Sequence, residues 1–271
     1  MSVTEMRPPA VAGRFYPGEA RALAAQLARF MGPAGEGETC LGLVAPHAGY
    51  IYSGAVAGET YARVRVPDRV IVLSPNHTGR GVRGAIWPGG AWRLPGGDVE
   101  VDEDLRRRLL DASAVLQPDR RAHEHEHALE VQLPFLRARN PRVRIAAITL
   151  AGLDGSECLA LGTAVADVVR EVGGNVLVCA SSDMSHYIPA RAAEQRDRLA
   201  IDRILALDPA GLFEVVERED ISMCGFIPAT VMLAAAVALG AQRAELVRYA
   251  NSGDVSGDYD AVVGYAGILV R

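Results

Sequence analysis

No run of this sequence is apolar for long enough to cross a bilayer. The longest, the alanine-rich Thr230–Gly240, falls well short of the roughly 20 residues a spanning helix needs, and it reads as a buried helix. The N-terminus, Met-Ser-Val-Thr-Glu-Met-Arg-Pro-Pro, lacks the apolar centre of a secretory signal. Cysteine is scarce, with four in 271 residues at positions 40, 158, 179 and 224, and no Cys-x-x-Cys pair occurs. That argues against a disulfide-stapled fold. With no signal segment, it points to a cytoplasmic protein with free thiols. No basic block stands out among 28 basic and 33 acidic residues, and the net charge is -5. A nucleic-acid or anionic-membrane partner is therefore not indicated. Walker, Gly-x-Gly-x-x-Gly and Gly-x-Ser-x-Gly patterns are all missing, so phosphate-cradling and serine-hydrolase readings have no support.

Linkers are missing too. The Gly/Pro-rich stretches Gly32–Gly37 and Pro88–Gly97 are short, and no repeat of fixed period appears. The chain, 1–271, reads as one domain. Its residues are 49% apolar, enough for a large core.

Short apolar runs predict buried strands at Leu41–Ala45, Val70–Ser74, Ile145–Leu150, Val176–Ala180, Glu245–Tyr249 and Val262–Val270. Helical patterns lie among them at Ala20–Phe30, Ala55–Val64, Asp104–Ala112, His127–Arg137, Ser156–Val172, Ala190–Leu207 and Pro228–Leu239. Strands alternating with helices predict an α/β fold, a layered αβα domain with a mainly parallel or mixed central sheet. The segment holding Trp87 and Trp92 reads as an excursion that adds antiparallel strands.

The informative pattern lies in the residues just past each strand. Leu-Gly-Leu-Val-Ala-Pro runs into His47, and Val-Ile-Val-Leu-Ser-Pro-Asn into His77. Val-Leu-Val-Cys-Ala-Ser-Ser runs into Asp183 and His186, and Leu-Val-Arg-Tyr-Ala into Asn251, Ser252 and Asp254. Ligands of open α/β sheets bind outside the carboxyl ends of the strands, so parallel neighbours would bring these groups to one crevice. The Asp183/His186 spacing fits a local turn, and equally an acid/base pair in which the carboxylate orients the imidazole. Cys224 precedes an apolar helix. It reads either as a packed thiol or as a ligand whose pKa the helix N-terminus lowers. His123 and His125 read as an exposed, charged helix start, while Glu126, His127 and Glu130 stay open as pocket groups.

Several blocks together resemble the Memo family, also called AmmeMemoRadiSam system protein B. They are Arg7-Pro-Pro-Ala-Val-Ala-Gly-Arg-Phe-Tyr-Pro-Gly, Ala45-Pro-His-Ala-Gly-Tyr-Ile-Tyr-Ser-Gly, Leu73-Ser-Pro-Asn-His-Thr-Gly and Glu126-His-Ala-Leu-Glu-Val-Gln-Leu-Pro-Phe-Leu. Ser181-Ser-Asp-Met-Ser-His-Tyr, Met223-Cys-Gly and Tyr265-Ala-Gly complete the set. The resemblance implies a fold like that of the class III extradiol ring-cleavage dioxygenases, which hold Fe(II) through two His and one Glu. It implies a metal site at His47, His77 and Cys224, with Asp183 and His186 as further pocket residues and candidate catalytic groups. Ala128 departs from the Ser usual in its block. Two imidazoles and a thiolate form a softer set than two imidazoles and a carboxylate. They suit Fe(II) or Cu, with Zn as an alternative.

Three functions are consistent with this. One is a metal-dependent redox or oxygenase-like enzyme in which His186 moves protons. Another is a module binding a small metabolite or peptide, with aromatic contacts from Tyr50, Tyr52, Trp87 and Trp92. The third is a metal carrier or scaffold beside a radical-SAM partner.

Overall fold

The computed structural model describes residues 6–33 and 35–271. Residues 1–5 of the N-terminal segment and Ala34 of the expected Gly32–Gly37 loop lie outside the described residues. In chain order the strands are β1 Met6–Arg7, β2 Gly42–Ala45, β3 Arg69–Pro75, β4 Gly84–Ile86, β5 Ala91–Trp92 and β6 Val99–Val101. They continue with β7 Leu116–Pro118, β8 Arg144–Leu150, β9 Val176–Ser181, β10 His186–Ile188, β11 Ala244–Asn251 and β12 Val262–Val270. The helices are α1 Ala20–Met31, α2 Tyr50–Ala62, α3 Glu103–Ala112, α4 Leu133–Arg139 and α5 Gly155–Val172, then α6 Ala190–Leu205, α7 Pro209–Arg218, α8 Phe226–Ala238 and α9 Gly253–Ser256.

The strands join in one mixed sheet, ordered β1-β5-β6-β8-β3-β9-β2-β12-β10, with β11 on β12 and β4 between β7 and β8. Its centre is parallel: β8, β3, β9 and β2 are neighbours running one way. Antiparallel partners flank it, among them β12 on β2 and the Trp-bearing β5 on β6. The mixed αβα layering predicted from alternating strands and helices is therefore present.

Side chains along the central strands alternate between two cores, as the two-residue period of a strand requires. Ile71 and Leu73 of β3, with Val178 and Ala180 of β9, pack under α3, α5, α7 and α8. Val70, Val72, Leu177 and Cys179 face the opposite core, under α1, α2 and α4. Strands covered on both faces have no polar face to show, which is why they read as unbroken apolar runs.

Most element ends fall within two residues of expectation. Helix α2 starts at Tyr50, five residues before the expected Ala55. The expected helix His127–Arg137 is instead a 3₁₀ turn, Glu130–Gln132, leading into α4, whose first turn holds Pro134. Proline lacks the N–H that an uninterrupted helix would use there. Helix α7 stands apart from the expected elements. Its signals are local: Pro209 at the first position, and the Asp208 carboxylate accepting from the N–H of Gly211. No helix among the described residues is long and apolar enough to cross a membrane.

Candidate metal centre

Strands β3, β9 and β2 lie side by side and parallel, so their C-terminal ends open at one edge of the sheet. His47 follows β2 by two residues, His77 follows β3 by two, and Asp183 follows β9 by two. Cys224 reaches the same edge from the α8 side, one residue before the Gly225 cap of that helix. One donor atom from each of His47, His77 and Cys224 lies within 4.8 Å of the others. A third imidazole, His127, stands among them, its ring centre 5.4 Å from that of His47 and 4.8 Å from that of His77.

The hydrogen bonds select a tautomer for the imidazoles of His47 and His77. The Ser181 hydroxyl donates its one proton to the Ala128 carbonyl at 2.6 Å, so towards His47 Nδ1, 2.9 Å away, it can only accept. His47 therefore carries its proton on Nδ1 and has a free lone pair on Nε2. Gln132 donates to the same hydroxyl and to the Pro46 carbonyl, bracing this corner from the 3₁₀ turn before α4. His77 donates from Nδ1 to Glu126 Oε1 at 2.9 Å, and its backbone N–H donates to Glu126 Oε2 at 2.6 Å. A carboxylate or hydroxyl behind the outer nitrogen is how metal-binding imidazoles are commonly oriented.

The second compact set, His77, Glu126 and His127, reads differently. Both Glu126 oxygens already accept N–H groups, from His77 and from the backbone of Ala128. Glu126 is spent on orientation, so the set forms the support of the first. Ala128 takes part through its N–H and carbonyl only, so this support does not depend on the side chain at that position.

Burial controls the charges. His47 is held down to about 3, mainly by burial and then by His77, so it is neutral. Burial also pulls His77 down, but the hydrogen bond and charge of Glu126 outweigh it and leave a net upward shift. Burial pushes Glu126 up, and His77 more than reverses that, leaving it well below the usual carboxylate range. His127 is lowered to about 4 by burial and by His47. Asp183 is raised by burial. It accepts from the N–H groups of His47 and Ala48, and so fixes the turn after β2.

Two expectations are corrected here. The Cys224 thiol is not lowered by the helix N-terminus: burial, and then the Asp183 charge, pushes it well above its ordinary value. Asp183 also makes no hydrogen bond to His186. That imidazole donates from Nδ1 to the Ser222 carbonyl at 2.9 Å, and its backbone N–H donates to Ser222 Oγ. The outcome still suits a base, because a proton fixed on Nδ1 leaves Nε2 as an acceptor. The next residue, Tyr187, has a left-handed backbone (φ 57°) and is 78% exposed.

Other candidates fall elsewhere. Trp87 and Trp92 are buried, and their rings pack on His123 rather than on the site. Tyr50 is buried against Phe135, and only Tyr52 of that group is exposed. His123, expected on an exposed helix start, is fully buried. Glu130 pairs with Arg7 at 2.6 Å and also accepts from the backbone of Ala10 and Val11 and the Tyr16 hydroxyl. It ties down the N-terminal segment and lies outside the cluster. Asn251 ends β11, Ser252 and Asp254 follow it into α9, and β11 is separated from β2 by β12.

The family model described as Memo-like protein matches residues 7–269. A MEMO1 family protein of Methanopyrus kandleri is 44% identical over 98% of this chain and 99% of its own length. One from Methanosarcina mazei is 42% identical over 98% and 100%. Among solved structures, an uncharacterized protein of Escherichia coli K12 has a TM-score of 0.51 at 11% identity, over 83% of this chain and 98% of that one. That likeness is one of fold.

Proposed function

The chain belongs to the Memo family, and from that membership and the geometry of the sheet edge we propose a metal-dependent redox protein acting on a small substrate. His47, His77 and Cys224 would hold the ion. Fe(II) or Cu suits a donor set of two imidazoles and a thiolate, with Zn the redox-inert alternative. Such an ion supplies one-electron and oxygen chemistry when bound.

The observation that carries this reading is the division of labour on each imidazole. Nδ1 of His47 is committed to Ser181 and Nδ1 of His77 to Glu126, which leaves the other nitrogen of each ring for a ligand, that of His47 facing Cys224 Sγ at 3.1 Å. Such pre-orientation reduces the ordering left to be done when a ligand binds. The remaining chemistry belongs to the chain's own groups. Asp183 holds the backbone of His47 and Ala48 in place, and His186 offers Nε2 as a proton acceptor at the exposed side. The oxygenase activity of fold relatives is not carried over, because a thiolate in place of a carboxylate changes the redox poise. The family's second name supports placing the protein beside a radical-SAM partner, which co-purification would test.

Elemental analysis of the purified protein tests the metal reading. Near-stoichiometric Fe or Cu is expected, falling to background in Cys224→Ala and His47→Ala variants that remain folded. Trace metal unchanged by either substitution would sink it. Stoichiometric Zn would keep the site and remove the redox role.

A further inference from the structure

We propose a second ligand site, remote in kind from the first: a cleft between α1, α4 and the 94–97 loop that takes a small carboxylate with an apolar body. The cleft has a volume of about 630 Å³, within the range of about 300–1,000 Å³ usual for small-molecule sites. Leu23, Leu27 and Met31 of α1, with Leu94 and Pro134 opposite, make its walls apolar. Positions 20, 24, 27 and 31 of α1 share one helical face, and all four line it.

One strong polar group enters this apolar space. Arg137 lines the cleft, and its Nε is buried with no hydrogen-bond partner. A buried donor without an acceptor is costly, more so when it is charged. The loop is shaped around it. A side chain at Gly97 would place its Cβ 2.6 Å from the guanidinium carbon, and Gly97 has a φ of 139°, which L-residues rarely adopt. Arg21, exposed on the rim, adds a second cation. Among the described residues no carboxylate pairs with either. An anion arriving from outside would pair with the guanidinium charge that the fold leaves unpaired, and a guanidinium fork matches a carboxylate by two parallel hydrogen bonds. The apolar walls would take the rest of the molecule. The occupant is thus a monoanionic amphiphile, for which octanoate is the probe.

Calorimetric titration of the full chain with sodium octanoate, octylamine and 1-octanol tests this. Octanoate is expected to bind at least tenfold more tightly than either of the others. Arg137→Met should weaken octanoate about tenfold and leave octanol unchanged, the size expected for loss of one charge-assisted interaction. Ala24→Phe, which fills the cleft, should abolish binding of octanoate and octanol. Far-UV circular dichroism checks each variant's fold. If Arg137→Met fails to fold, Arg137→Lys keeps the charge without the fork and should show a smaller loss. Equal binding of octanoate and octylamine overturns the proposal. So does octanoate affinity unmoved by the Arg137 substitution, or no octanoate binding at millimolar concentration.

Discussion

Cys224 Sγ lies 3.1 Å from His47 Nε2, so the thiol donates its proton to the one nitrogen that the Ser181 hydroxyl leaves unprotonated. The two groups are matched as donor and acceptor without an ion, and as two lone-pair donors once that proton leaves. A cation bound at this point would take the place of the proton, so a high thiol pKa does not bar Cys224 from the proposed metal centre.

The support behind the ligands should matter nearly as much as the ligands. Glu126→Gln keeps the shape of the side chain and removes the charge that orients His77. Metal affinity should fall about 10–100-fold, measured by competition with a chelator of known affinity. An unchanged affinity would show that His77 needs no such partner.

The N-terminal segment should be held by one buried ion pair. Arg7 is 1% exposed and Glu130 fully buried; the guanidinium also donates to the carbonyls of His123 and Glu126 and lies 4.0 Å over the Trp92 ring. Arg7→Met leaves the Glu130 charge without its partner, and the expected loss is about 3–5 kcal/mol in urea unfolding. Arg7→Met with Glu130→Met should lose less than Arg7→Met alone, because no lone charge remains.

Acid should unfold the protein partly through His123. The Ser74 hydroxyl can donate to Thr149, Thr149 to His123 Nδ1, and His123 Nε2 to the Ala85 carbonyl, a chain that needs a neutral ring. Burial, and then the Arg7 charge, lowers its pKa to about 3. A lowered His pKa means that the unfolded state takes up the proton first. Stability is therefore full above about pH 6.5 and falls towards pH 3, by up to about 1.4 kcal/mol per pH unit for this one group. His123→Gln should flatten the slope of stability against pH by about one proton over that window.

A helix-favouring change should destabilise the α5–α8 contact. Gly162 sits inside α5, where alanine is worth about 1 kcal/mol in propensity. Its Cβ would lie 2.5 Å from Ala234 Cβ and 2.8 Å from the Val231 carbonyl. Gly162→Ala should therefore cost about 1–3 kcal/mol in unfolding free energy, as overpacking does. A gain in stability would mean that the helices can move apart freely.

The fold is legible in this sequence to the extent that its strands are buried on both faces. Val70–Leu73 and Val176–Ala180 have no polar alternation to blur them, and His47, His77 and Asp183 stand out because each interrupts such a run. Cys224 is legible weakly from its place before an apolar helix and mainly through its resemblance to a family block. Its protonation is not legible at all, because burial and Asp183, 41 residues away, outweigh the nearby helix end. The burial of His123 is hidden for a similar reason. Its neighbours Arg7, Ala85 and Thr149 come from three distant segments, and the polar residues beside it suggest water. Local pattern reports what a segment prefers, while charge state is set by whatever the rest of the chain packs against it.

The contact between Cys224 and His47 spans 177 residues. Contacts of such long reach form late, because the loop they close must be ordered before they gain anything. A nascent chain that has emerged only as far as β9 would carry both imidazoles and lack the thiol. Loading should therefore follow synthesis and folding, and metal supplied during refolding should change the final yield of native protein more than the rate at which it appears.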